Sequence, residues 1–245
     1  MLSARPCYLG TEFVPSGGKN SHLHLSRLTS LMWSRTLLPL SLTLLCLSTS
    51  LDAQTRVDST AFTVIHNADT VAVESFVRTP TEVTGSIRFL TQGQRMWYHL
   101  VVAPDETTPL VEVKAWRLDD PESGPARQQT RIIFKADSVA VDDLTSRGIA
   151  TRVFPTTEGA IPYLNLSFAF LEQGMIRAFH LARDTTTVPF FSLSGGQTAF
   201  GTVQRIGPDS ASVTLGQVQF RLRVGPEGEI EGGGIPSQQI TVQRR

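Results

Sequence analysis

The stretch VQFRLRV at residues 218–224 decides the fold class of this 245-residue chain. Apolar and polar residues alternate strictly along it, so every second side chain points to the same face of an extended strand. A strand of this kind buries one face in a core and leaves the other face in water, as strands of antiparallel sheets do. The stretch therefore predicts an antiparallel β-sheet.

The same alternation recurs on the N-terminal side of this stretch, back to Phe62. Turn residues interrupt it every 8 to 12 residues or so, for example at Gln92-Gly93 and at Gly195-Gly196, which is typical of strands joined by hairpins. Counting the segments between turns predicts roughly ten to twelve strands. No fixed-period repeat and no low-complexity linker divides them, which favours a single domain.

The periodicity changes after Gly159, where apolar residues recur at steps of three and four over residues 163–178. This spacing predicts one helix, and Pro162 suits its first turn. Several strands are apolar on both faces, so both sides of the sheet must be covered. We therefore predict a mainly β (α+β) fold: a single curved antiparallel sheet or half-barrel with one central helix. A two-sheet sandwich remains the alternative.

The N-terminal part of the chain has the features of a targeting sequence. Residues 1–31 lack a periodic apolar pattern and are predicted to be a non-structural extension. Residues 32–53 contain Arg35, an apolar run over 37–51 and a small-residue end at Ala53, the order of a secretory signal peptide. The run is shorter than the roughly 20 residues that span a membrane, so no permanent span is predicted. Residues 54–245 are then an exported domain of the periplasm or cell envelope, or a secreted one.

Composition excludes several function classes. Both cysteines, Cys7 and Cys46, precede residue 54, so the predicted mature domain has no disulfide and no thiol nucleophile. Without residues 1–53 the chain keeps 18 basic and 20 acidic residues. A domain so close to neutrality gives no electrostatic reason to predict nucleic acid as a partner.

No motif in the sequence predicts an active site, a metal or a cofactor. His66, His99 and His180 stand outside any metal-ligand spacing. The carboxylates at 227, 229 and 231 are too few for a calcium loop. A non-enzymatic protein without metal or cofactor is predicted, and an enzyme that uses His99 or His180 beside a carboxylate is the weaker alternative.

Aromatic residues are the candidate ligand-binding residues, because apolar pockets are commonly lined by them. We expect a set of five to line a cavity between sheet and helix, although aromatic residues at inward positions are also ordinary core. The predicted set is Phe62, Trp97, Trp116, Phe168 and Phe191.

The order of the elements resembles the exported lipoprotein-carrier type of half-barrel, and uncharacterised secreted bacterial proteins with similar curved sheets. The features that carry the resemblance are the signal peptide, a Phe-x-Val strand at Phe62, a second strand bearing Glu74, the helix over residues 164–175, and the ending from Gly228 through Pro236 to Arg244. The resemblance implies an envelope protein that binds a lipid or other lipophilic small molecule between sheet and helix. The alternative is a structural or protein-interaction module of the envelope, with a filled core and an envelope protein as its partner.

Overall fold

The computed structural model describes residues 58–245, so the predictions made for residues 1–57 lie outside the described part. Two runs of strands flank one α-helix. The first run is β1 (Asp58–His66), β2 (Asp69–Arg78), β3 (Glu82–Phe89), β4 (Gln94–Val101), β5 (Leu110–Arg117), β6 (Gln128–Phe134), β7 (Ser138–Thr145), β8 (Gly148–Pro155) and β9 (Ile161–Tyr163). The helix α1 (Phe168–His180) follows. The second run is β10 (Thr185–Ser192), β11 (Thr198–Gly207), β12 (Ser210–Leu215), β13 (Val218–Val224), β14 (Ile230–Ile235) and β15 (Ile240–Arg244).

All the strands belong to one open sheet, in the order β8-β7-β6-β5-β4-β3-β2-β1-β15-β14-β13-β12-β11-β10-β9. Strands β1–β8 and β10–β15 each form an antiparallel meander, and β1 and β15 join the two meanders, with Val64 opposite Val242. The prediction of a mainly β fold with a single sheet and one helix is confirmed. The sheet is mixed, however, because β9 pairs in parallel with β10.

The predicted strand number was wrong, since the sheet has 15 strands. Three strands lack the apolar–polar alternation from which the strands were counted. In β8 almost every residue is exposed, so neither face is marked by apolar residues. β9 has only three residues, and β14 contains three consecutive glycines, which have low strand propensity.

The helix starts six residues later than Pro162, which lies in β9 instead of in a first helical turn. Ser167 is its N-cap, with extended backbone and a side-chain oxygen that accepts from the N–H of Phe170. Ten of its 13 residues are buried, so α1 lies inside the curve of the sheet and not on its rim.

The core lies between α1 and the concave face of the sheet. Phe62 of β1 packs against Phe168 at 5.9 Å between ring centroids, and Tyr98 of β4 packs against Phe170 at 4.9 Å. All four side chains are at most 2% exposed. The region between the sheet and the N-terminal half of α1 is therefore filled by side chains.

The two ends of the sheet approach each other although they share no strand pairing. Phe191 of β10 contacts Phe134 and Phe154, which lie near the opposite end, at 5.7 and 6.0 Å between ring centroids. The hydroxyl oxygens of Thr156 and Thr198 are 2.7 Å apart at the same place. The sheet is thus curved far enough for its ends to touch.

Candidate functional site

Glu74 of β2 is fully buried and accepts four hydrogen bonds at the N-terminus of α1. Its Oε1 accepts from the hydroxyls of Tyr98 at 2.9 Å and Ser167 at 2.5 Å. Its Oε2 accepts from the backbone N–H groups of Phe168 at 2.8 Å and Ala169 at 3.0 Å. These N–H groups lack partners within the helix, and the helix dipole favours an anion there. The carboxylate fastens α1 to β2.

Burial raises the pKa of Glu74, and the four donors oppose that shift. Burial, with the nearby charge of Glu74, also raises the pKa of Tyr98 well above its usual value, so its phenol stays protonated and donates. Every strong acceptor position of Glu74 is occupied by the protein. Its arrangement is that of a structural anchor.

A second buried carboxylate, Glu172, fastens the middle of α1. Its Oε1 lies 3.3 Å from a guanidinium nitrogen of Arg78, and its Oε2 lies 3.1 Å from one of Arg244. Oε2 also accepts from the backbone N–H of Ile230 at 2.7 Å. Burial raises the pKa of Glu172, and the two arginines oppose the shift. The helix is therefore tied to both halves of the sheet, through β2 and through β14–β15.

A cleft of about 470 Å³ opens beside the C-terminal half of α1, where the helix meets the loop before β5 and the end of β6. This volume lies within the roughly 300–1,000 Å³ of small-molecule pockets. We call it the helix cleft. It is lined by Asp105, Thr107, Thr108, Pro109, Phe134, Lys135, Ala136, Glu158, Gly159, Ala160 and Arg177.

The helix cleft combines charged groups of both signs with apolar surface. Arg177 of α1 donates to the carbonyl of Gly159 at 2.6 Å. Burial lowers the pKa of Arg177, and the nearby carboxylates of Asp105 and Glu158 oppose this shift. The hydroxyl of Thr108, a residue only 1% exposed, has no hydrogen-bond partner among the described residues. The Thr108 hydroxyl is thus a hydrogen-bonding group beside the cleft that the described residues leave unused.

The five aromatic residues predicted to line one cavity do not share a surface. Phe62, Phe168 and Phe191 lie in the core, each at most 2% exposed. Trp97 and Trp116 point away from α1. Successive side chains of a strand point to opposite faces, and Trp97 is next to buried Tyr98 in β4. Trp116 is three residues after buried Val113 in β5, so it too lies on the face opposite to the core. We call their side of the sheet the outer face. A cavity between sheet and helix lined by all five residues is excluded.

His99 also lies on the outer face, with its Nε2 3.1 Å from a carboxylate oxygen of Glu82 and its Nδ1 3.8 Å from one of Glu112. This is the proximity that the enzyme alternative requires. Both carboxylates are about half exposed, which is typical of contacts between solvated surface side chains. The prediction that this protein is not an enzyme stays a prediction. Within residues 58–245, no group of three or more His, Cys, Asp or Glu side chains is placed to hold a metal.

Two solved structures are similar to this chain. One is a DUF1089 family protein from Pseudomonas aeruginosa, at 12% identity and a TM-score of 0.48, over 68% of this chain and 91% of that one. The other is a β-barrel-like protein of the domain of unknown function DUF1849 from Brucella abortus, at 8% identity and a TM-score of 0.43, over 78% of this chain and 96% of that one. No family model and no curated protein matches the sequence. Both similar structures are of domains of unknown function.

Proposed function

We propose that this chain is an exported cell-envelope protein that binds a lipid in the helix cleft. The observation that carries the proposal is a cleft at the junction of helix and sheet with an unpaired buried hydroxyl, Thr108, beside charged and aromatic walls. The predicted signal peptide and the resemblance to lipoprotein-carrier half-barrels support the envelope location. No helix within residues 58–245 has the length and apolar character needed to cross a bilayer.

The walls of the cleft suit an amphiphile. Phe134 lies at the cleft and also contacts Phe191 in the core, so an alkyl chain entering there remains against apolar side chains. Burial of each methylene contributes about 0.8 kcal/mol. Arg177 belongs to the same lining, where it can meet a polar head group.

The charges of the cleft indicate which head group fits. Two cations, Lys135 and Arg177, face two carboxylates, Asp105 and Glu158. A purely anionic head group would meet both acids, while a zwitterionic one satisfies both signs. A single-chain phospholipid with a phosphoethanolamine head therefore matches the charge balance of the cleft.

The test begins with protein produced from the full chain in a bacterium and purified from the envelope fraction. Native mass spectrometry is followed by titration with 16-carbon lysophosphatidylethanolamine, with lysophosphatidylglycerol of equal chain length for comparison. We expect saturable binding of the zwitterionic lipid with a higher affinity than the anionic one. Absence of saturable binding of either lipid would overturn the proposal.

A matched pair of variants assigns the binding to the cleft. Thr108→Val keeps the shape of the side chain and removes only the unpaired hydroxyl, so the protein should remain as stable as the parent. We expect it to bind the lipid roughly tenfold more weakly, the effect of one lost hydrogen bond of about 1.4 kcal/mol. Arg147→Ala, in the exposed β7–β8 hairpin, should bind like the parent. Equal affinity in all three proteins would place the lipid elsewhere.

The protein-interaction alternative is favoured by a different observation. β8 is an edge strand, and Ile149 and Val153 on its outer face are 68% and 65% exposed. Exposed apolar edge strands are sites of strand addition by another chain. The variant Ile149→Lys/Val153→Lys should abolish association of the protein with an envelope partner while leaving lipid binding unchanged. Loss of lipid binding in this variant would contradict the separation of the two surfaces.

A further inference from the structure

We propose a second binding site on the outer face of β3–β5, which takes a sugar bearing an anionic group. Two tryptophans and two cations alternate there across one strand pair. In the β4–β5 register Arg95 lies opposite Trp116, and Trp97 lies opposite Lys114. The guanidinium carbon of Arg95 is 4.7 Å from the Trp116 ring centroid, and Nζ of Lys114 is 5.0 Å from that of Trp97.

A groove of about 420 Å³ runs over these residues, and we call it the tryptophan groove. The small side chain of Ser86 lies opposite Trp97 on β3, which leaves space beside the indole. The complete lining is Ser86, Arg88, Arg95, Met96, Trp97, Lys114, Trp116 and Glu122.

The charge of the groove selects an anion. Three cations, Arg88, Arg95 and Lys114, face one carboxylate, Glu122, in a chain whose net charge is zero. Arg95 donates to the carbonyl of Pro121 at 2.8 Å, which fixes its guanidinium, but its buried Nε has no partner among the described residues. A carboxylate or phosphate is the group that pairs with such donors.

The tryptophans favour a sugar ring over a bare anion. Trp116 is held in place by the hydrogen bond from its Nε1 to the carbonyl of Gly124 at 3.0 Å. A fixed indole offers flat apolar surface next to polar groups, and this suits the mixed faces of a pyranose ring. Single-stranded nucleic acid fits less well, because its binding needs positive charge that tracks along several nucleotides, and here the cations are confined to one groove.

Tryptophan fluorescence reports on this site alone. The chain has three tryptophans, and Trp33 falls in the predicted signal peptide, so Trp97 and Trp116 are the remaining two. In a Trp33→Phe background both fluorophores lie in the tryptophan groove. The helix cleft contains none. Sugar binding in the tryptophan groove should therefore change the tryptophan fluorescence directly, whereas lipid binding in the helix cleft contacts no tryptophan.

The experiment titrates the full chain carrying Trp33→Phe with trigalacturonate, glucose 1-phosphate, maltotriose and inorganic phosphate. We expect a saturable fluorescence change with the first two probes, which weakens as salt is raised. Maltotriose and inorganic phosphate should bind at least tenfold more weakly. No saturable change with either anionic sugar, or equal affinity for maltotriose, would overturn the proposal.

A variant pair separates the site from general surface charge. Lys114→Gln removes a charge in the groove and keeps most of the side-chain length, and we expect roughly tenfold weaker binding from the loss of one charge-assisted hydrogen bond. Arg131→Gln removes a charge from the next strand, β6, outside the groove lining, and should bind like the parent. An equal loss in both variants would show unspecific attraction and would contradict the proposed site.

Discussion

Glu74 and Phe168 are 94 residues apart in the chain, and the carboxylate of the first accepts the backbone N–H of the second at 2.8 Å. The first residue of α1 is thus hydrogen-bonded to a side chain of the sheet. The same oxygen also accepts from Ala169, so two of the helix's unpaired N–H groups depend on one buried strand residue. The position of α1 against β2 is therefore set by this carboxylate.

Glu74→Gln should leave the domain within about 1 kcal/mol of the parent at neutral pH. The amide oxygen can replace Oε2 and accept from both backbone N–H groups. The amide nitrogen can replace Oε1 and donate to the hydroxyls of Tyr98 and Ser167, since a hydroxyl can also accept. Urea unfolding measures the difference in the free energy of unfolding.

Glu74→Ala is the contrasting variant, because it removes both acceptor oxygens, and with them all four hydrogen bonds, and leaves a cavity. We expect a loss of about 3 kcal/mol or more, from unpaired buried donors and lost packing. If the Gln and Ala variants are destabilised equally, the hydrogen bonds at the helix start do not hold α1 in place.

The free energy of unfolding should fall as pH rises from about 4.5 toward neutrality. Burial raises the pKa of Glu74 above its ordinary 4.5. In that window the folded state binds more protons than the unfolded state, so the stability present at low pH is lost as pH rises through the folded pKa of Glu74. Urea midpoints measured at intervals between pH 4.5 and 7.5 test this.

Comparison with Glu74→Gln tests the assignment to Glu74, because the amide does not titrate. The difference in unfolding free energy between this variant and the parent should grow in favour of the variant as pH rises. A difference independent of pH would contradict a raised pKa for Glu74. Asp120 has the opposite effect on the pH dependence of stability, because its pKa is lowered to about 2, mainly by the hydrogen bond from Arg127. Asp120 titrates below pH 4.5, so it does not contribute between pH 4.5 and 7.5.

The burial of Glu74 and Glu172 could be predicted from the sequence, although the residues that pair with them could not. Glu74 shares its strand face with Ala72 and Phe76, and Glu172 stands four residues after Phe168 on the apolar side of α1. A carboxylate in an apolar periodic position indicates a buried, paired acid. Local periodicity does not reveal which distant element supplies the donors, since that depends on how the sheet curves.

Periodicity also explains which parts of the candidate sites were predictable. Alternation with Tyr98 places Trp97 on the outer face, so its separation from Phe62 follows from strand parity alone. The helix cleft, by contrast, is built by Thr108 from a loop and Arg177 from the helix, with no shared pattern. Sites assembled from loops far apart in sequence leave no spacing to recognise.

Glu172→Gln should be much more damaging than Glu74→Gln. At Glu172 the partners are the guanidinium groups of Arg78 and Arg244, which donate to both oxygens and accept nothing. An amide nitrogen in place of either oxygen faces a guanidinium group and leaves that cation without its carboxylate. Breaking such a buried pair costs about 3 kcal/mol or more. Urea unfolding of both Gln variants side by side checks the contrast, and equal effects would contradict it.

Gly174→Ala should destabilise the domain even though alanine is the better helix former. A methyl group at Gly174 would overlap the ring of Phe190 on β10, and overpacking of this kind costs about 1–3 kcal/mol, against roughly 1 kcal/mol of improved helix propensity. The double variant with Phe190→Leu tests the cause, because the smaller side chain makes room for the methyl group. In a double-mutant cycle measured by urea unfolding, Gly174→Ala should be less destabilising in the Phe190→Leu background by about 1 kcal/mol. Additive effects would mean that the close approach of α1 to β10 does not depend on the missing side chain at Gly174.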